Sequence, residues 1–279
     1  MFKIKKKKIL HSTVSLMEIK APIVANKAKP GQFLILRVDK NGERIPLTIS
    51  DCNKKSGTIT IIFQVVGATT KQLNSLNEND YIHDVVGPLG KASQLDNLKK
   101  VAIIGGGVGC AIAYPIAKYL HNKNAVVHSI IGFRNKELVI LKNKFEKISD
   151  KLILMSDDGS VGSKGLVTTA LEELIQSGEK YDEVIAIGPL IMMKFVSQLT
   201  KKYDIKTVVS MNPIMIDGTG MCGGCRITVG GKTKFACVDG PDFDGHLVDF
   251  DEAIQRSKMY KDFEKKSYEE TCNLFKGVK

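Results

Sequence analysis

The chain has 279 residues, 43% of them hydrophobic, which is enough for sizeable cores and suggests two compact domains plus a small appendage. Lys and Arg number 41 against 30 Asp and Glu, a formal net charge of +11, with a disproportionate share in Lys3 to Lys8 and Lys258 to Lys279. These basic residues are not interleaved with aromatics and Trp is absent, which argues against nucleic-acid binding.

The first lysines read as an edge strand protected against aggregation, and a basic surface also suits an acidic protein partner such as a small electron carrier. Only Ile9-Leu10 separates Lys8 from His11, so no secretory segment follows, and no run of about 18 apolar residues occurs to span a membrane. Cys222, Cys225 and Cys237 cluster at metal spacing, whereas Cys52, Cys110 and Cys272 are scattered. That usage points to a reducing compartment, so the chain is expected to be soluble and cytoplasmic.

Residues 2 to 96 read as short β-runs: Phe2 to Leu10, Thr13 to Ile19, Gln32 to Val38, Thr58 to Val66 and Tyr81 to Val86. Turn signals separate them, at Lys29-Pro30-Gly31, Asn41-Gly42, Lys54 to Gly57 and Gly87-Pro88-Leu89-Gly90. With one helical insertion near Thr70 to Leu76, the pattern predicts a small antiparallel barrel over residues 1–97. Within it, Arg44-Ile45-Pro46-Leu47-Thr48-Ile49-Ser50 places a cation and two hydroxyls along one strand. Val66-Gly67-Ala68-Thr69-Thr70 opens a helix whose N-terminus can hold phosphate through free N–H groups. A polar edge strand beside an ordinary capped helix is the alternative.

From Lys99 the pattern changes, and residues 98–210 read as a doubly wound parallel sheet. Val101 to Ile104 is a buried-strand run ending in Gly105-Gly106-Gly107-Val108-Gly109-Cys110, the strand, glycine turn and helix that let a backbone approach a pyrophosphate. Pro115 should kink or delay that helix. Strand-like runs follow at Val126 to Phe133, Leu152 to Met155, Glu183 to Ile187 and Thr207 to Ser210, with helical patterns at Leu166 to Gln176 and Ile191 to Lys201. Ligands of open α/β sheets sit at the carboxyl ends of strands, which brings in Arg134, Asp157, Asp158, Gly188 and Pro189. Arg134, where an acidic residue would take a ribose hydroxyl, leaves NAD and NADP both open.

Residues 211–279 carry Asp217-Gly218-Thr219-Gly220-Met221-Cys222-Gly223-Gly224-Cys225 and, eleven residues on, Cys237, with a helix expected at the C-terminus. The spacing is that of plant-type [2Fe–2S] ferredoxins with Asp217 in the first Cys slot, and a carboxylate can bind ferric iron. A zinc site with three Cys and one Asp, or thiols that bind nothing, are the alternatives. Cys272 is a competing fourth ligand. No Ser/His/Asp triad or carboxylate pair stands out as catalytic.

Arg44-x-Pro46-x-Thr48-Ile49-Ser50 resembles the flavin-binding signature of the ferredoxin–NADP reductase superfamily. That resemblance implies that Arg44, Pro46, Thr48, Ile49 and Ser50 line a flavin, with Val66, Gly67, Thr69 and Thr70 at its phosphates. The order of barrel, nucleotide domain and cluster loop is similar to the electron-transfer subunits of dihydroorotate dehydrogenase. It is more similar still to the small-subunit family of NADH-dependent reduced ferredoxin:NADP oxidoreductases, also called sulfide dehydrogenase subunits. Ser210 to Met215, Asp217 to Cys225, Phe235 to Pro241 and Phe243 to His246 carry that likeness. Asp in the first ligand slot separates this group from the dihydroorotate-linked subunits, which have Cys there. The resemblance implies FAD, one [2Fe–2S] cluster held by Asp217, Cys222, Cys225 and Cys237, NAD(H) as the nucleotide, and a heterodimer. The partner implied is a larger subunit bearing flavin and [4Fe–4S] clusters, through which ferredoxin is reached by electron bifurcation. A flavin-free redox-sensing subunit is the reading from a different class.

Overall fold

The computed structural model describes residues 1–277, with side chains described through residue 270. In chain order the elements of the first unit are β1 (Phe2–His11), β2 (Val14–Lys20), α1 (Pro22–Lys27), β3 (Phe33–Arg37), β4 (Arg44–Thr48), β5 (Asp51–Asn53), β6 (Thr58–Gln64), α2 (Ala68–Ser75), β7 (Tyr81–Ile82) and β8 (Asp84–Leu89). They form two antiparallel sheets, β5-β6-β2-β1-β7 and β4-β3-β8, which close over one core of Ile4, Met17, Ile19, Leu34, Leu36, Ile59, Ile61 and Phe63. Burying alternate residues from both sheets is what lets such short strands hold together.

Two expectations change here. The run Tyr81 to Val86 splits at His83, so that β7 and β8 serve different sheets. A second helix, α1, starts with Pro22 in its first turn, where a missing N–H costs nothing. β2 covers one side of β1 and β7 pairs with only Phe2 and Lys3 on the other, so Lys5 to Lys8 keep an outer edge as expected. Lys7 leaves the solvent: its ammonium donates to the carbonyls of Asn74 and Leu76, capping the end of α2.

The second unit comprises β9 (Lys100–Gly106), α3 (Cys110–Asn122), β10 (Val126–Phe133), α4 (Lys142–Glu146), β11 (Lys151–Ser156), β12 (Ser163–Lys164), α5 (Val167–Gln176), β13 (Glu183–Ile187), α6 (Leu190–Lys202) and β14 (Thr207–Ser210). Its sheet runs β12-β11-β10-β9-β13-β14, all parallel. Val101 and Ile103 of β9 pack under α3 and α4, while Ala102 and Ile104 pack under α5 and α6. Both faces are therefore covered, which is why these strands are uninterrupted apolar runs. The helix through Pro115 neither stops nor starts late there: α3 is continuous over Cys110–Asn122 after a 3₁₀ turn at Gly107–Gly109. Burial of Ala113, Tyr114, Ile116, Ala117 and Leu120 offsets the bond that Pro115 removes, a loss of ~3 kcal/mol.

The remaining elements are β15 (Arg226–Val229), β16 (Lys232–Phe235), α7 (Ala236–Asp239), β17 (Asp242–Asp244), α8 (Phe250–Arg256) and α9 (Lys261–Gly277). β15 and β16 form a hairpin closed by Gly230-Gly231, both at positive φ, as a two-residue turn requires. β17 joins the parallel sheet as an antiparallel edge beside β14, so the cluster-bearing segment is stitched into the nucleotide unit. The side chain of Cys272, the competing ligand, lies outside the described residues. No described helix is long and apolar enough to cross a membrane.

Candidate functional site

At the carboxyl ends of the parallel strands lies a cleft of about 770 Å³. Gly106, Gly107, Val108, Gly109, Arg134, Asp157, Gly188 and Pro189 line it. Gly105 does not; it is buried, and a Cβ there would sit 2.8 Å from Cys110 Sγ. Gly109 lets β9 meet the end of β13, since a Cβ on it would fall 2.4 Å from the Ile187 carbonyl oxygen. Gly107 is different: its φ is +54° and nothing lies within 4 Å of its would-be Cβ. That open, left-handed glycine at the head of α3 leaves the backbone accessible to a ligand.

Asp158 is turned away from the cleft. Its carboxylate accepts from Ser160 N at 2.9 Å and Ser160 Oγ at 2.7 Å, and these bonds hold it below the usual carboxylate range. The barrel contributes three cleft residues that motif reading missed, His11, Val14 and Gln64, and the end of β14 and the segment after it add Ser210 and Asn212. No local signal could have found them, because they reach the cleft only through packing between units. Burial lowers the pKa of His11.

None of the flavin-motif residues lines this cleft; they lie on β4, in the turn after it and at the start of α2. Thr69 donates its hydroxyl to Glu43 Oε2 at 2.5 Å, tying the start of α2 to the start of β4. Thr70 Oγ1 accepts from Val66 N and Gly67 N, both at 3.0 Å, so these two amides are taken and those of Ala68 and Thr69 remain in the first turn. Arg44, Pro46 and Thr48 follow along β4, half-buried, and lead to buried Ile49 and Ser50. Ser50 Oγ is buried with no hydrogen-bond partner, which is the mark of a polar atom awaiting a ligand. Val66 is exposed beside them.

Arg44 also reaches the cluster loop, donating from Nε to the Ile216 carbonyl at 3.2 Å and from Nη2 to the Asp217 carbonyl at 3.3 Å. The loop is pressed onto the barrel: a Cβ on Gly218 would lie 2.8 Å from Ile35 Cγ1. Phe33 and Ile35 of β3 share a small core with Met215, Cys225, Ala236 and Cys237. Cys225 Sγ and Cys237 Sγ are 3.2 Å apart and buried, and Cys222 is exposed on the same loop with Gly224 N donating to its sulfur at 3.5 Å. Among the described residues no three ligand side chains converge as a finished metal cage.

The donor chemistry nonetheless fits an iron–sulfur cluster. Two thiols already touch, a third carries an N–H donor, and a carboxylate stands at the loop's entrance. The Gly224 N–H draws the Cys222 thiol pKa down, whereas burial and the neighbouring Cys225 push Cys237 up to about 12. A cluster binding here therefore displaces protons, which makes its uptake pH-dependent. Asp217 accepts from Thr219 Oγ1 at 2.5 Å, Thr219 N at 2.8 Å and Met221 N at 3.3 Å, so it stays ionised.

Residues 212–249 match the iron-sulfur cluster binding domain of dihydroorotate dehydrogenase B. Over 251 residues, 90% of this chain and 88% of the relative, the sequence is 47% identical to a dihydroorotate dehydrogenase B electron transfer subunit homolog of Thermotoga maritima. It is 32% identical to the corresponding subunit of Streptococcus pneumoniae over 77% of this chain and 85% of that one. The chain belongs to the dihydroorotate dehydrogenase B electron-transfer subunit family. A family member of this kind is an oxidoreductase subunit, and it works within a larger complex. A solved structure of NADH-dependent reduced ferredoxin-NADP oxidoreductase, studied for flavin-based electron bifurcation, superposes with a TM-score of 0.92 at 45% identity, covering 97% of each chain. Phthalate dioxygenase reductase, at 15% identity, 82% and 85% coverage and a TM-score of 0.61, shares the fold. The barrel-plus-nucleotide-domain reading of the sequence is thus the family's architecture.

Proposed function

We propose that the chain passes hydride from NADH to FAD and then delivers single electrons through a [2Fe–2S] cluster to a larger partner subunit carrying flavin and [4Fe–4S] clusters. The observation that carries this reading is the packing of the cluster loop onto the barrel, with Arg44 joining the flavin-motif strand to Asp217. His11, Val14 and Gln64 of the same barrel line the nucleotide cleft. FAD, when bound, supplies the change from two-electron to one-electron chemistry. Arg44, Pro46, Thr48, Ile49 and Ser50 would line it, with Val66, Gly67, Thr69 and Thr70 at its phosphates. Asp217, Cys222, Cys225 and Cys237 hold the cluster, and Gly105 to Gly109, Arg134, Asp157, Gly188 and Pro189 form the nucleotide site, with Gly105 acting from beneath.

The three working regions fall at residues 1–97, 98–210 and 211–279, and the protein acts in the cytoplasm. Electron-bifurcating ferredoxin:NADP oxidoreduction is the favoured complex, because Asp217 occupies the first ligand slot as in the group the sequence most resembles. The bifurcating structure, 45% identical over 97% of this chain, favours the same complex over a dihydroorotate dehydrogenase. Metal, sulfide and flavin analysis of the purified protein tests the reading: about one FAD and two irons per chain are expected. Stoichiometric zinc without acid-labile sulfide contradicts it. Stopped-flow bleaching of the flavin should be much faster with NADH than NADPH, and the opposite order would move the nucleotide assignment to NADP.

A further inference from the structure

Cys225 closes the cluster loop one residue before β15, and Cys237 lies in α7, two residues past the end of β16. The hairpin brings them together: Arg226 pairs with Phe235, and Ala236 N donates to the Cys225 carbonyl at 3.1 Å. Cys237 N in turn donates to Cys225 Sγ at 3.4 Å, and the two sulfurs are 3.2 Å apart. A disulfide bond is about 2.0 Å long, so the sulfurs need approach by only about 1 Å, within reach of a small side-chain rotation. No loop has to be gathered for it, because the ladder between β15 and β16 already joins the two ends. Both side chains are buried, 1% and 2% exposed, and share their core with Phe33, Ile35 and Met215. Cys222, the third thiol of the loop, is exposed.

We propose that Cys225 and Cys237 form a site of reversible oxidation, which a peroxide converts to a disulfide whenever iron does not hold the two sulfurs. In the first step one thiol sulfur attacks the peroxide, the O–O bond breaks, one water leaves and a sulfenic acid remains. In the second, the neighbouring sulfur attacks the sulfenic sulfur, the S–O bond breaks, and the S–S bond forms as a second water leaves with the remaining thiol proton. The two thiols lose two electrons and the peroxide takes up two. Burial selects for an oxidant as small as hydrogen peroxide. Contact between the sulfurs lets the second step outrun further oxidation to the sulfonic acid, which no thiol reverses. The bond then withholds two of the four cluster ligands until a thiol reductant restores them. That consequence rests on the [2Fe–2S] reading; the disulfide itself rests on the thiol pair.

The test treats the purified full-length protein with hydrogen peroxide, blocks the remaining thiols, and maps the cysteine peptides by mass spectrometry without reduction, for wild type, Cys222→Ser and Cys225→Ser. Wild type and Cys222→Ser should both yield a peptide pair linked through Cys225 and Cys237, with Cys222 of the wild type outside the link. In Cys225→Ser, Cys237 should instead run on to the sulfinic or sulfonic acid. Iron uptake by the linked protein should be lost, and dithiothreitol should remove the link and let iron and sulfide restore the EPR signal of the reduced cluster. A link through Cys222, sulfonic acids on both Cys225 and Cys237 of the wild type, or no link once iron has been released overturns the proposal. If the protein as purified holds zinc or no metal and still forms the link, the cluster reading falls and the oxidation site stands.

Discussion

Asp217 takes three hydrogen bonds from its own loop, and they hold its carboxyl below the ordinary range, ready to serve as an anionic oxygen donor. Asp217→Ala should leave one iron with an open position and a labile cluster. Asp217→Cys should keep the iron and change the EPR g-values, because thiolate is softer than carboxylate. Iron content and EPR of both variants beside Cys272→Ser decide the ligand: wild-type behaviour in the Asp217 variants with iron loss in Cys272→Ser would transfer the role. Asp242 carries a second residue-scale expectation. Its folded pKa is raised from 3.8 to about 6 by burial, so its stabilising contribution is full below 3.8 and lost as pH rises through 6. The span corresponds to about 3 kcal/mol at most. Denaturant melts at pH 4 and pH 7 should therefore show Asp242→Asn gaining on wild type as pH rises; a constant difference would mean the carboxyl does not titrate in this window.

At the scale of elements, the glycine turn before α3 separates a packing role from a binding one. Gly109→Ala pushes a Cβ into the Ile187 carbonyl, 2.4 Å away, and should cost ~1–3 kcal/mol of stability by forcing β9 from β13. Gly107→Ala meets open space and pays only for its left-handed φ, roughly 1–2 kcal/mol, yet it should weaken NADH binding about tenfold by placing a methyl group where the backbone is open to the ligand. Melting and NADH titration of the two variants check this, and equal binding loss without destabilisation in Gly109→Ala would contradict it. Sequence periodicity found β10, β13 and β14 at their observed limits because fully buried parallel strands are continuous apolar runs. It missed α1, α4 and α8, which are short and held by tertiary contacts, and β17, a three-residue strand whose partner is β14 rather than a neighbour in sequence. Motif spacing likewise picked out Cys225 and Cys237, whose sulfurs touch, and the glycine turn that lines the cleft. His11, Gln64 and Ser210 gain meaning only when the units pack, and Asp158, adjacent to Asp157 in sequence, is spent on its own turn.

At the scale of the whole molecule, the units are joined by more than linkers. Lys118 of α3 donates to both Asp51 oxygens at 2.9 Å across the barrel boundary, and Val14, Leu16 and Ile62 of the barrel enter the core beneath α3. The ion pair is partly exposed, so Lys118→Met should cost no more than about 1 kcal/mol. The apolar contact should instead keep unfolding of the barrel and nucleotide unit in one transition, and two separate calorimetric peaks would contradict that. Packing of this kind holds the barrel that carries the flavin-motif strand against both the nucleotide unit and the cluster loop. The most direct test is an anaerobic NADH titration of the purified chain, followed by absorbance and EPR in the same sample. Flavin absorbance near about 450 nm should bleach and the EPR signal of a reduced [2Fe–2S] centre should appear without any partner. Bleaching with no iron–sulfur signal, or no bleaching at all, would contradict a single chain that links the two chemistries.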